Sequence, residues 1–127
     1  TIQTTYTYQA GASVSTRYFT GMQSRDINTD GKPDLIVFDN VDSRMLVFQN
    51  TSTGIGHIGF APPVGFSLTP GGTPYLSAMS NLDGELSGGT PTSDVALLNV
   101  FGSGFEVVMF QNKNIPGANI DLSTFAS

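Results

Sequence analysis

Residues 26–37 read Asp-Ile-Asn-Thr-Asp-Gly-Lys-Pro-Asp-Leu-Ile-Val, and no other stretch restricts the fold so sharply. Asp26, Asn28, Asp30 and Asp34 set oxygen-bearing side chains at even positions around Gly31, and the segment runs directly into an apolar strand. A loop that curls round a cation presents every second side chain to its centre. Ca²⁺ takes about six to eight oxygen ligands, so three carboxylates, one amide and the backbone carbonyl of Lys32 nearly fill its shell. Gly31 permits the tight turn, because glycine reaches positive φ without a steric penalty. A polar Asp/Asn turn between strands is the plainer alternative, but it leaves the regular alternation unexplained.

The first half of this loop also fits an EF-hand, which requires a bidentate Glu at its twelfth position and a helix beyond it. Val37 occupies that position, Pro33 lies inside the loop, and the following residues are β-branched and aromatic, so a strand is expected to leave it. The pattern Asp-x-Asn-x-Asp-Gly-x-x-Asp-Leu-x-Val resembles the FG-GAP/VCBS repeat family, most closely over residues 19–50. Repeats of that family are β-propeller blades, found in the integrin α-subunit head, in some fungal lectins and in many secreted bacterial proteins. The resemblance implies that the loop joins two strands of a blade and holds calcium.

A second, altered copy follows. Asn28, Asp30 and Gly31 are matched by Asn81, Asp83 and Gly84; Asp34-Leu35-Ile36-Val37 by Asp94-Val95-Ala96-Leu97; Val47-Phe48-Gln49-Asn50 by Met109-Phe110-Gln111-Asn112. Tyr18-Phe19 and Tyr75-Leu76 approach the two loops. Self-similarity at a period of about 60 residues marks a repeat architecture. The expected units are 1–58, with calcium loop 26–34, and 59–127, with loop 81–94. This alignment puts Met79 in place of Asp26 and inserts residues 85–93 between Asp83 and Asp94. The second loop therefore holds metal through Asn81, Asp83 and Asp94, helped by Glu85 or an inserted carbonyl, or else is metal-free and held by its own hydrogen bonds.

Composition agrees with many short strands and turns: 15 Gly and 7 Pro in 127 residues. Charged residues are 12 % of the chain and the net charge is −5, with three of the ten acidic residues in the first loop. The five Lys and Arg are scattered, so no basic patch exists for nucleic acid or an anionic membrane. The absence of cysteine excludes disulfides, thiol nucleophiles and thiolate metal sites. It does not argue for the cytosol, since weak calcium sites of Kd roughly 10⁻⁴–10⁻³ M suit an extracellular module. No apolar run approaches the ~20 residues of a membrane span. Asn50-Thr51-Ser52 is a glycosylation sequon, a pattern that often occurs by chance.

Strands are expected at 4–8, 17–23, 35–38, 45–48, 64–68, 75–79, 95–100 and 105–110, with no helix. Leu-Ile-Val-Phe and Val-Ala-Leu-Leu are continuously apolar, as in strands covered on both faces. The fold class is all-β, built of propeller-type blades. Two blades fall short of the about four to eight of a propeller and leave edges and apolar faces open. Ile2–Tyr8 and Leu122–Ser127 lie at similar phases of the repeat, so the expected partner is the chain itself, head to tail, as a closed ring or an open filament. A larger propeller of which this is a fragment, and a small two-unit sandwich, are the other readings.

Enzyme chemistry is not expected. The single histidine, His57, sits in the turn Gly54-Ile55-Gly56-His57-Ile58-Gly59 with no Ser–acid pair near it in sequence, and the loop carboxylates are better explained as calcium ligands than as an acid/base pair. The expected role is an extracellular, calcium-stabilised binding or adhesion module for a glycan or protein ligand; the competing class is a structural subunit of a surface filament. Tyr6, Tyr8, Tyr18, Phe66 and Tyr75 are candidates for stacking on sugar rings, although alternating aromatics more often serve as core or cross-strand pairs.

Overall fold

The computed structural model describes residues 19–126. The strand expected at 4–8, the phase of Ile2–Tyr8, and Tyr6, Tyr8, Arg17 and Tyr18 lie outside the described residues. Within them the chain is all-β, in ten strands and no helix. β1 (Phe19–Arg25), β2 (Asp34–Asp39), β3 (Arg44–Phe48) and β4 (Val64–Ser67) form one antiparallel sheet in that order. β5 (Thr73–Ser80), β8 (Asp94–Phe101), β9 (Gly104–Asn112) and β10 (Phe125–Ala126) form a second, again in chain order. The insertion expected between Asp83 and Asp94 is a hairpin of its own, β6 (Leu86–Ser87) and β7 (Thr90–Pro91). Neither four-stranded sheet closes on itself.

Register decides which residues share a face. Ile36 pairs with Val47, and Phe38 with Met45 and through it Phe66; this face of the first sheet is buried. In the second sheet Val95 pairs with Phe110 and Leu97 with Val108, and that face packs against the first. Together they make one core cluster, joined by Ile27, Leu68, Ile120 and Phe125. At its centre Phe66, Phe110 and Phe125 meet edge to face, with ring centroids 5.1–6.4 Å apart, the arrangement that the aromatic quadrupole favours. Phe66 is thus a core residue and drops out of the sugar-stacking candidates, whereas Tyr75 is exposed.

The two continuously apolar strands have different outcomes. In β2, Leu35 and Val37 face away from the core and are half-buried. In β8, Ala96, Leu98 and Val100 face away likewise, but their β9 partners Met109, Val107 and Phe105 are 52, 58 and 71 % exposed. One side of the second sheet is therefore an open apolar surface.

Candidate functional site

The first loop folds round its own acids. Asp26 accepts from the backbone N–H of Asp30 (3.1 Å) and Gly31 (2.8 Å), and Asp30 accepts from Lys32 N–H (2.9 Å). Asn28 Oδ1 accepts from Asp30 N–H at 3.3 Å, and its Nδ2 donates to Asp30 (3.3 Å) and to the Ala118 carbonyl (3.0 Å). Two residues have left-handed backbone, Gly31 at φ +86 and Thr29 at φ +56. That conformation is costly for a β-branched residue, and the Thr29 hydroxyl supports it by donating to the Asn28 carbonyl at 2.7 Å.

Asp34 is the fixed point of the loop. It is fully buried, with Oδ2 receiving Ile27 N–H (2.9 Å) and Oδ1 receiving Asn50 N–H (2.8 Å). Burial pushes its carboxyl above the ordinary value; the two backbone donors oppose this, and the charges of Asp30 and Asp26 add to the rise. The three carboxylates therefore repel one another, and a cation among them would remove that cost.

The second loop repeats this construction. Asp94 receives Leu82 N–H at Oδ2 (2.7 Å) and Asn112 N–H at Oδ1 (2.8 Å). Asn50 Nδ2 donates to the Pro33 carbonyl and Asn112 Nδ2 to the Ser93 carbonyl, in each case the residue before the buried Asp. Both asparagines also accept, through Oδ1, the N–H two residues further on, Ser52 and Asn114. Asn50 and Asn112 were legible only as part of a repeated strand end; that each locks a loop to a strand is a structural finding. The Asn50 amide is thus already engaged at the position of the sequon.

These contacts correct the alignment of the two loops. Ile27 corresponds to Leu82, because each donates to the buried Asp, and Arg25 to Ser80, because each pairs with it across the strands. Asp26 therefore corresponds to Asn81, not to Met79, and Asn28 and Asp30 correspond to Asp83 and Glu85. The left-handed Thr29 coincides with the left-handed Gly84. The residue identities Asn-Asp-Gly had favoured a match displaced by two positions; the hydrogen bonds set the true one. The second loop accordingly has its own alternating series, Asn81, Asp83, Glu85 and then Asp94.

In that series Asp83 is exposed, accepts from Glu85 N–H (2.9 Å) and from the Gln111 amide, and its carboxyl is held below the ordinary value first by the backbone donor and then by Gln111. Asn81 Nδ2 donates to the Glu85 carbonyl (2.9 Å), while its Oδ1 is buried without a hydrogen-bond partner. A cavity of about 300 Å³ lies beside the loop, lined by Leu82, Asp83, Asp94, Met109, Phe110 and Gln111.

Among the described residues no three His, Asp or Glu side chains are grouped so as to hold a metal ion; the loop carboxylates are turned to backbone donors instead. The donor chemistry nevertheless fits a hard cation. The first loop supplies three carboxylates, an amide oxygen and the carbonyl of Lys32; the second supplies Asn81 Oδ1, Asp83 and Asp94. His57 lies exposed in a turn, its N–H donating to the Gly54 carbonyl at 3.1 Å. No helix among the described residues is long and apolar enough to cross a membrane. Comparison of the chain with family models, with curated proteins and with solved structures gives no match.

Proposed function

We propose that the chain is a pair of propeller-type blades of the FG-GAP/VCBS kind, acting outside the cell as a calcium-stabilised binding or adhesion module. One observation carries this reading. The same clamp is built twice: a buried Asp at a strand start takes one N–H from an oxygen-rich loop and one from an Asn closing the next strand. Such a device holds a loop in shape against a sheet, and in the first loop it gathers three mutually repelling carboxylates. Calcium bound there would act structurally, neutralising the repulsion and pinning the loop.

A ligand would meet the loops or the exposed Tyr75, which presents a ring to solvent and so can stack on a sugar or a peptide side chain. Calorimetric titration of the metal-stripped protein with Ca²⁺, followed by melting in calcium and in chelator, tests the first half of the reading. Saturable binding with a rise in Tm is expected; heat-silent titration with superimposable melting curves would remove calcium from the account. Glycan arrays probed in calcium then test the second half. A structural filament subunit is the second reading, favoured by the open apolar face of the second sheet.

A further inference from the structure

We propose that the cavity beside the second loop is a binding site for a short peptide segment, one that carries a branched aliphatic side chain with a Lys or Arg two residues before it. The proposal deepens the binding-module reading above, and rests on it, by naming the class of ligand and the place where it binds. The chain supplies its own template, because the equivalent place in the first unit is filled by peptide. The clamps match Ile27 to Leu82 and Asn28 to Asp83. The strand register matches Val47 to Met109 and Gln49 to Gln111.

In the first unit residues 117–120 lie across these positions. Gly117 N–H donates to the Asn28 carbonyl at 2.6 Å, and Asn28 Nδ2 donates to the Ala118 carbonyl at 3.0 Å. Gln49 holds the next two residues: its Nε2 donates to Asn119 Oδ1 (3.3 Å) and its Oε1 accepts from Ile120 N–H (3.0 Å). The Ile120 side chain is buried in the core cluster that includes Ile27 and Val47. Two residues, Asn28 and Gln49, thus read the backbone of a segment whose aliphatic side chain fills the space between them.

The second unit has the receptor without the segment. Leu82 and Met109, which stand where Ile27 and Val47 are fully buried, are 45 and 52 % exposed. The cavity that they line with Asp83 and Gln111 has a volume of about 300 Å³, enough for an aliphatic side chain and in the range of ligand pockets. Gln111 is set as Gln49 is. Its Nε2 donates to Asp83, which leaves Oε1 to accept a ligand N–H as Gln49 Oε1 accepts that of Ile120.

One exchange sets the selectivity. Asn28 donates to the Ala118 carbonyl, whereas the carboxylate of Asp83 in its place can only accept. A ligand must therefore turn a donor toward Asp83 from the position of Ala118. A charged donor makes the stronger bond to a carboxylate, which selects Lys or Arg at that position, two residues before the aliphatic side chain.

The probe is the peptide acetyl-Gly-Lys-Asn-Ile-Asp-amide, which copies the template with Lys in place of Ala118. Titrated into the full chain labelled with nitrogen-15, it should shift the amide signals of Leu82, Asp83 and Gln111 saturably and leave those of Asn28 and Gln49 in place. Replacing the peptide's Ile by Ala should weaken binding about tenfold or more. Asp83→Asn should reverse the preference, so that the template peptide with Ala binds better than the Lys peptide; that reversal also shows that the variant is folded. Absence of saturable shifts at millimolar peptide, binding indifferent to the Ile, or an Asp83→Asn variant that still prefers Lys would each overturn the proposal. So would the same shifts on concentrating the chain alone, which would make the occupant a second copy. Repeating the titration in calcium and in chelator separates the two readings. Peptide binding without any calcium response sinks the metal and leaves this site, and a calcium response without peptide binding does the reverse.

Discussion

The two loops share a skeleton and differ in what lies over them. Ile27 and Leu82 each donate an N–H to a buried Asp, yet Ile27 is fully buried and Leu82 is 45 % exposed. The first loop is roofed by the 114–120 segment, where Gly117 N–H donates to the Asn28 carbonyl at 2.6 Å and Asn28 reaches the Ala118 carbonyl; Asn112 adds a bond to the Ile27 carbonyl at 2.8 Å. The second loop has the inserted β6–β7 hairpin in place of Gly31-Lys32-Pro33. The same contrast recurs at the far end of the strands. Asp39 pairs with Arg44 at 3.5 Å in the first sheet, where Asn99 and Glu106 pair at 2.9 Å in the second. A repeat thus keeps the bonds that shape its backbone, while its burial is set by whether a neighbour follows.

The largest expected difference comes from the two apolar residues. Ile27→Ala should lower stability by about 2–5 kcal/mol, the cost of a cavity in a closed core, whereas Leu82→Ala should change it by no more than about 1 kcal/mol at a half-open position. Urea denaturation of both variants measures this. Equal losses would mean that Leu82 is covered in solution.

Replacing the clamps should break both repeats alike. Asp34→Ala and Asp94→Ala each strand two backbone donors, at a cost of about 2–4 kcal/mol for each clamp. Melting in chelator should show similar losses for the two, and melting in calcium a further loss for Asp34→Ala, which removes a carboxylate of the first loop's set. A variant at either site that melts with the wild type would show that its clamp contributes nothing to stability.

A finer separation comes from Asp30 and Glu85, which occupy equivalent positions. Asp30→Ala should weaken calcium binding and reduce the calcium-dependent rise in Tm, because it removes a ligand and a charge from the middle of the series. Glu85→Ala should leave the first site intact; its ion pair with Lys113 spans 4.0 Å between exposed groups and is worth about 0–1 kcal/mol. Calorimetry of the two variants measures the affinities, and an unchanged calcium response in Asp30→Ala would exclude that residue as a ligand.

Much of the fold was legible because strands of this kind declare themselves locally. Leu35–Phe38 and Val95–Leu98 are apolar without interruption and lie inside β2 and β8; the boundary expected at 58/59 was less legible, since β4 (Val64–Ser67) lies beyond it and yet pairs with β3 in the first sheet. The alignment of the loops was not legible. Asn-x-Asp-Gly recurs as a string of residue types, but a clamp is defined by which backbone N–H reaches the carboxylate, and that is a distance. Nor does any local pattern disclose that Val107 faces solvent while Val108 packs on the core. Both lie in an apolar run, and only the presence of a neighbouring sheet distinguishes the two sides of a strand that is apolar on both.

The smallest difference lies in the turns before the last strand pairing of each unit, where Asn50 meets Phe60 and Asn112 meets Phe125. In the first unit, Gly54 and Gly56 make the turn with backbone at φ +139 and +80. In the second a side chain does it: Asp121 accepts from Ser123 Oγ at 2.6 Å and from Ser123 N–H at 2.8 Å, and these bonds hold its carboxyl below the ordinary value of 3.8. A depressed folded-state value means that the contribution is complete above the ordinary value and fades as pH falls through the depressed one. Below pH 4, amide exchange at Ser123 and Thr124 should therefore accelerate relative to that at His57, whose turn contains no carboxyl. Asp121→Asn should abolish this dependence while Asp83→Asn leaves it in place. Parallel pH profiles for the two turns in the unaltered chain would show that the second is held by its backbone, as the first is.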